Sequence, residues 1–207
     1  MNVAVIVLAA GLGSRFGATP KLLAELDGAP LVRRVAKAAA ASRAGPVIVV
    51  LGRAGKAVRG ALAGLPVRLV ENPDYAQGLA TSLKAGFAAL PVEAAGVIVC
   101  LGDMPLLGPD ILDALVDAFE ETPHAAAIVP VHGGRRGNPV LLSRRLAPEI
   151  ARLEGDRGAG PLLAARGDVR ELAWGDDRVL VDVDTPEALA ALNARRAEGD
   201  ATARRAT

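Results

Sequence analysis

The chain has 207 residues, a formal net charge of +1 and only 2% aromatic side chains. That length suits one domain able to bury roughly 70% of its unfolded surface, so it needs no disulfide or metal staple. The weak charge and scarce aromatics remove the field and the stacking platforms that nucleic-acid binding requires, so neither DNA nor RNA is an expected partner.

The single Cys100 sits in the apolar run Val97 to Leu101. It excludes a disulfide framework and reads as a small buried hydrophobe, which suits a reducing cytosol. The first apolar run is short and lacks a basic leader and a cleavage site, so neither a signal peptide nor a membrane span is expected. A cytoplasmic location is the expectation.

Val3 to Lys21, VAVIVLAAGLGSRFGATPK, starts as a buried strand and breaks at Gly11-Leu12-Gly13-Ser14-Arg15. Glycines there let the backbone turn tightly with its N–H groups exposed, and Arg15 and Lys21 add full positive charge. That outlines a polyphosphate site. The dinucleotide-binding fingerprint fails, because Gly11, Gly13 and Gly17 are spaced too widely for GxGxxG. A Walker loop fails as well, both here and in GRAGKA at Gly52 to Ala57, because no GK is followed by Ser or Thr.

Beyond the loop, Leu22 to Leu26 and Asp27-Gly28 predict a short extended piece and a turn. Helices are expected from Pro30 to about Ser42, over Lys56 to Leu62, over Leu79 to Leu90, and over Asp110 to Glu121 behind Pro109. Strands are expected at Pro46 to Gly52, Val67 to Glu71 and Val97 to Leu101. Alternating helices and continuously apolar strands predict an α/β fold, with a mostly parallel sheet covered on both faces.

The pattern then changes. Ala126 to Val131 and Pro139 to Leu142 read as strands, joined through residues 133–138 by a hairpin or lid. Ser143 is placed to cap a helix reaching about Leu153, and Glu154 to Gly160 is a loop. Val169 to Ala173 and Val179 to Val183 are further strands, and Thr185 caps a last helix over Pro186 to Arg196. Residues 1–198 then form one domain, and 199–207 a polar tail expected to fray.

Ligands in open α/β sheets bind beyond the carboxyl ends of the strands. Four polar clusters fall at such ends: Gly11 to Lys21, Asn72 to Ser82, Gly102 to Pro105, and Asp182 to Thr185. A glycine turn with its helix terminus contributes only about 0.3–1 kcal/mol per charge at exposed sites. That cannot neutralise a triphosphate, so Mg²⁺ is expected, held by Asp103 and by Asp182 or Asp184. His124 and His132 lack zinc-ligand spacing and a cysteine partner, and no GxSxG elbow is present.

The opening stretch fits LAAG-x-G-x-R-[MF]-G-x(2,3)-K and resembles the MobA-like nucleotidyltransferases, within them the molybdenum cofactor cytidylyltransferases. The resemblance implies a Rossmann-like three-layer sandwich of the nucleotide-diphospho-sugar transferase type. It implies a nucleotide site at Leu8, Ala9, Ala10, Gly11, Gly13, Ser14, Arg15 and Lys21, with Arg15, Lys21 and Asp103 catalytic. Asn72, Gly78 and Ser82 match the family's N-P-x(4)-G-[ML]-x-x-S-[LI] element, on ribose, base or phosphates. Gly102 and Asp103 belong to LGDMP, where Met104 replaces the family's usual Gln. The acid before Thr-Pro favours Asp184 as second metal contact. Ala10 stands where users of GTP carry a second glycine, which tilts the base to cytosine.

Arg136, Asn138, Asp156, Arg157 and Gly158 match the elements that hold the phosphorylated pterin acceptor. The implied reaction moves CMP from CTP to the terminal phosphate of molybdenum-molybdopterin and releases pyrophosphate. The alternatives are another base or acceptor (GTP, or a sugar or alditol phosphate), an NAD(P)H-dependent reductase of a nicotine-derived pigment, and a non-catalytic protein delivering cofactor to a molybdenum hydroxylase.

Overall fold

The computed structural model describes residues 2–11, 16 and 20–205, with side chains described as far as residue 196. Strand β1 (Val3–Ala9) is buried along its whole length. The chain continues through β2 (Glu25–Leu26) and β3 (Ala29–Pro30) into α1 (Leu31–Ala41), β4 (Val47–Leu51), α2 (Gly55–Ala61) and β5 (Val67–Glu71). It goes on to α3 (Leu79–Ala88), β6 (Gly96–Leu101), α4 (Pro109–Glu121), β7 (Ala127–His132), β8 (Arg135–Arg136) and β9 (Val140–Ser143). The last elements are α5 (Ala147–Ile150), α6 (Gly160–Ala164), β10 (Val169–Ala173) and α7 (Pro186–Arg205).

The main sheet runs β10-β7-β9-β6-β1-β4-β5, with β8 paired to β7. β6, β1, β4 and β5 are parallel, as are β7 and β10. β9 lies antiparallel between β6 and β7. The sheet is thus mixed and mostly parallel, with helices on both sides.

Period-two alternation splits β1 between the two cores. Val3, Val5 and Val7 pack with α1 residues Val32 and Val35 and α4 residues Ile111 and Leu115. Ala4, Ile6 and Leu8 pack with Leu83 and Phe87 of α3. Fully burying a side chain such as Ile6 stabilises by about 1.5–3 kcal/mol. Parallel register aligns Leu8 with both Val50 and Leu101, so the segments after β1, β4 and β6 leave the sheet on one edge.

A smaller cluster joins Phe16, Leu26, Leu31, Val183, Leu189 and Leu192. It ties the end of the glycine-rich segment and the β2–β3 hairpin to α7. Thr185 caps α7 as expected, its Oγ1 accepting from the Ala188 N–H at 3.2 Å.

Several elements differ from expectation. Val179 to Val183 is not a strand: Asp177–Leu180 is a 3₁₀ helix. Asp176 accepts from the Arg178 N–H at 3.1 Å, and Arg178 is clamped to Asp110 at 2.8 Å, which winds the segment tightly. The helix expected from Ser143 to Leu153 breaks into a 3₁₀ turn, Arg144–Leu146, and the short α5 around Pro148. The segment 133–138 is a hairpin, with β8 folded onto β7. Helix α6 is absent from the expected elements. α7 continues to Arg205, past the expected end at Arg196 and through most of the segment expected to fray. Among the described residues, no helix is long and apolar enough to cross a membrane.

Candidate active site

A 3₁₀ turn, Lys21–Leu23, buries Leu22 and sends Lys21 toward the end of β6. There the Lys21 Nζ lies 2.5 Å from Asp103 Oδ2 and 2.8 Å from Asp184 Oδ1. Gly102 lets β6 turn sharply against β1: its N–H donates to the Leu8 carbonyl at 3.0 Å, and a Cβ there would stand 2.9 Å from that oxygen. The Val183 N–H donates to the Asp103 carbonyl at 2.9 Å, which stitches the segment carrying Asp184 to the turn carrying Asp103. Lys21 and Asp103 have side-chain exposures of only 15% and 17%, whereas Asp184 is half exposed at 50%.

Burial lowers the Lys21 pKa, but the Asp103 and Asp184 carboxylates outweigh it and hold the ammonium above its ordinary value. Asp182 shifts up, because of burial and the like charges of Asp184 and Asp103. Asp103 and Asp184 both meet the Lys21 ammonium, and Asp182 lies within reach of their charge.

Asp103 Oδ1 is buried and has no hydrogen-bond partner among the described residues. A buried carboxylate oxygen left unpaired is costly, which marks a place for a cation. No group of three or more His, Cys, Asp or Glu side chains suited to a metal occurs among the described residues. Two hard oxygen donors fit a divalent ion such as magnesium, which keeps several waters and completes its shell with phosphate.

Lys21 and Asp103 of this cluster line a cleft of about 380 Å³. Leu8, Ala10 and Gly11 line it beside Lys21 and Asp103; Tyr75, Gly78, Leu79 and Ser82 face them, and Asp156 closes one side. Gly13, Ser14 and Arg15 lie outside the described residues. Ala9 points the other way, into the α1 and α4 core, as strand alternation requires. Gly102 shapes the turn without lining the cleft.

Asn72 also stands behind the wall. Its Nδ2 donates to Thr81 Oγ1 at 2.9 Å and Ser82 Oγ at 3.0 Å, and its Oδ1 accepts from the Asp74 N–H at 3.0 Å. Fully engaged and 5% exposed, it orients Ser82 rather than reaching into the cleft. Met104, in place of the family's Gln, is 2% exposed and packs in the core beneath the turn.

Gly78, at φ 110°, admits the backbone of residues 155–156: a Cβ on it would lie 2.3 Å from the Gly155 carbonyl carbon. The neighbour that glycine accommodates is thus the 154–160 loop. The Ala80 N–H donates to the Gly155 carbonyl at 3.0 Å, and the Leu79 N–H to Asp156 Oδ1 at 3.3 Å.

A second cleft of about 330 Å³ adjoins the first and shares Leu8, Leu79 and Leu101 with it. Arg136, Asn138 and Gly158 line it, over an apolar floor that includes Val99, Val129 and Leu163. Arg136 also pairs with Glu171 at 2.8 Å. Arg157 lines neither cleft and is exposed. Tyr75 and Leu79 line the first cleft without being singled out by the sequence. Tyr75 falls at an unspecified position of the N-P-x(4)-G-[ML] element, and Leu79 matches its Met-or-Leu position, which reads from sequence as an apolar packing position.

Residues 5–170 match the MobA-like NTP transferase domain family. The chain belongs to that family. It is a nucleotidyltransferase of the MobA type, on the sandwich fold of the nucleotide-diphospho-sugar transferases. The molybdenum cofactor cytidylyltransferase of Escherichia coli K12 is 32% identical over 88% of this chain and 91% of its own length. The nicotine blue oxidoreductase of Paenarthrobacter nicotinovorans is 30% identical over 88% of this chain and 92% of its own. The bifunctional protein GlmU of Kineococcus radiotolerans is 40% identical over 61% of this chain, which spans only 26% of that larger protein. Among solved structures, Rv0371c of Mycobacterium tuberculosis H37Rv superposes with a TM-score of 0.80, at 33% identity and covering 94% of this chain and 98% of its own. A complex of Rv0371c with manganese superposes at 0.77, with 31% identity and coverage of 94% and 99%.

Proposed function

We propose that this MobA-like protein moves CMP from CTP to the terminal phosphate of molybdenum-bound molybdopterin and releases pyrophosphate. The observation that carries the reading is the meeting of Lys21 with Asp103 and Asp184 beside a cleft that Lys21 and Asp103 line, with a buried Asp103 oxygen left unpaired. The relationship to a cytidylyltransferase supports the base and the acceptor, and Ala10 lining the cleft agrees with cytosine.

Phosphoryl-type transfer needs little covalent help, so positioning and charge stabilisation dominate. Lys21, charged throughout the neutral range, lies where it can meet the leaving β,γ-phosphates. Arg15 and the amides of Gly11 to Gly13 are assigned to the same phosphates. Asp103 and Asp184 are the residues that would hold magnesium. When bound, such an ion neutralises phosphate charge and polarises the α-phosphate toward attack. Ser82, oriented by Asn72, offers its hydroxyl at the cleft wall. Arg136 and Asn138 in the adjoining cleft are assigned to the acceptor, whose phosphate then points at the boundary near Leu79. A molybdenum hydroxylase is the proposed recipient of the product.

The test is a pyrophosphate-release screen with Mg²⁺, each of the four nucleoside triphosphates, and a panel of phosphorylated acceptors that includes the molybdenum pterin. CTP with the pterin should give the fastest release. Release only with GTP or a sugar phosphate would overturn the base or the acceptor. Steady NADH oxidation with no pyrophosphate would instead favour a reductase.

A further inference from the structure

Asp156 stands where two parts of the molecule meet. Its carboxylate accepts from the Leu79 N–H at 3.3 Å, while the neighbouring Gly155 carbonyl accepts from the Ala80 N–H at 3.0 Å. Both donors belong to the first turn of α3, whose opening N–H groups have no partner within the helix. The loop therefore supplies a cap that α3 lacks in its own sequence, because Gly78 at its N-cap has no side chain to offer. Gly78 makes the approach possible, since any side chain there would collide with residues 155–156.

The capped turn is also cleft wall. Tyr75, Gly78 and Leu79 line the first cleft together with Asp156, and the same loop runs on through Gly158 into the lining of the second. Leu79 lines both, and Gly158 packs against it, its position for a Cβ being 3.2 Å from Leu79 Cδ2. A carboxylate beside a triphosphate cleft would by itself repel the ligand. Asp103 in the same cleft meets the Lys21 ammonium, whereas Asp156 meets a backbone N–H, a contact that needs an acceptor oxygen and not a charge.

We infer that Asp156 is a positioning residue of the nucleotide cleft, fixing the Tyr75–Leu79 wall through the Leu79 N–H, and not a ligand of the acceptor. The inference rests on the first cleft being the nucleotide site. It differs from the role implied by the family resemblance, which puts Asp156 on the acceptor.

The test is calorimetric titration of Mg·CTP, and of the other three triphosphates, into the full-length wild type and three variants. Asp156→Ala removes the acceptor oxygen. Asp156→Asn keeps an acceptor oxygen but removes the charge. Glu154→Ala removes a charge from the same loop at an exposed residue that lines neither cleft. Asp156→Ala should weaken nucleotide binding about 5- to 20-fold, as expected for one lost hydrogen bond and a loosened wall. Asp156→Asn should stay within about threefold of wild type, and Glu154→Ala should match it. Unchanged or tighter binding by Asp156→Ala would overturn the inference. So would equal losses in the Ala and Asn variants, because then the charge and not the hydrogen bond matters. If the wild type bound no triphosphate, the nucleotidyltransferase reading itself would fall, and this inference with it.

Discussion

Lys21 and Asp103, 82 positions apart in sequence, meet at 2.5 Å. The pair joins the end of the glycine-rich segment to the turn after β6, and Asp184 reaches the same ammonium from the segment before α7 at 2.8 Å. One cation and two carboxylates from three separate loops thus meet at one place. An arrangement of that kind needs little reorganisation during reaction, which is where charge-stabilising sites gain most.

If Lys21 and Asp103 act as one assembly, their losses should not multiply. Asp103→Asn and Lys21→Met should each lower kcat by about 10²–10³, the scale found when one charge-stabilising group is removed. The double variant should lose about as much as the worse single, because residues acting as a unit are non-additive. Pyrophosphate-release kinetics on the three variants check this. Asp103→Asn should also bind CTP far closer to wild type than its turnover suggests, as titration would show.

Gly78→Ala forces a Cβ against Gly155 at a backbone φ of 110°. Strain of this kind costs about 1–3 kcal/mol, which for a chain of this size lowers Tm by roughly 2–4 °C for each kcal/mol. Thermal unfolding would reveal it. A melting curve identical to wild type would mean that the 154–160 loop is not seated on α3.

Much of the fold is legible in the chain because β1, β4 and β6 are continuous apolar runs with a glycine or proline nearby. Local pattern cannot say which strands become neighbours, so it does not foretell the insertion of antiparallel β9 between β6 and β7. Val179 to Val183 is apolar at every position but Asp182, which reads as a strand. Its backbone is instead used elsewhere, the Val179 carbonyl accepting from Asn138 at 2.8 Å and the Val183 N–H donating to Asp103. Among site residues, Asp103 is readable because a charge beside glycine at a strand end serves few purposes besides holding a ligand, and Lys21 because it closes the glycine-rich stretch at the spacing of the family signature. For Asn72 the sequence suggests a contact to ribose or base, whereas its amide bonds Thr81 and Ser82 of α3, because residue type does not reveal which way an amide faces.

Met104 is a second case of inward orientation. Restoring the family's residue with Met104→Gln would place an amide in a core position that is 2% exposed. An unsatisfied buried polar group costs about 1–3 kcal/mol. Urea unfolding should show a loss of that size, while the preference among the four triphosphates stays unchanged. A change in base preference would show that this side chain reaches the nucleotide.

Burial pushes the Cys100 thiol up from 9.0 to about 12. In the unfolded chain the thiol ionises above its ordinary pKa, while the folded protein keeps it protonated. Its contribution to stability is therefore complete below about pH 9 and is lost as pH rises toward 12. Between pH 9 and 10 the loss should approach about 1 kcal/mol. Urea midpoints of wild type and Cys100→Ala, compared at pH 8 and pH 10, isolate the effect. The variant should show the smaller decline.

The most direct measurement is a crystal structure of the protein with CTP and Mn²⁺, with the ion located by its anomalous signal. The account predicts one manganese bound to Asp103 and Asp184, within about 2.3 Å of the Asp103 oxygen that is now unpaired, bridging to phosphates that Lys21 also contacts. A nucleotide bound away from these three side chains, with no metal on Asp103, would contradict it.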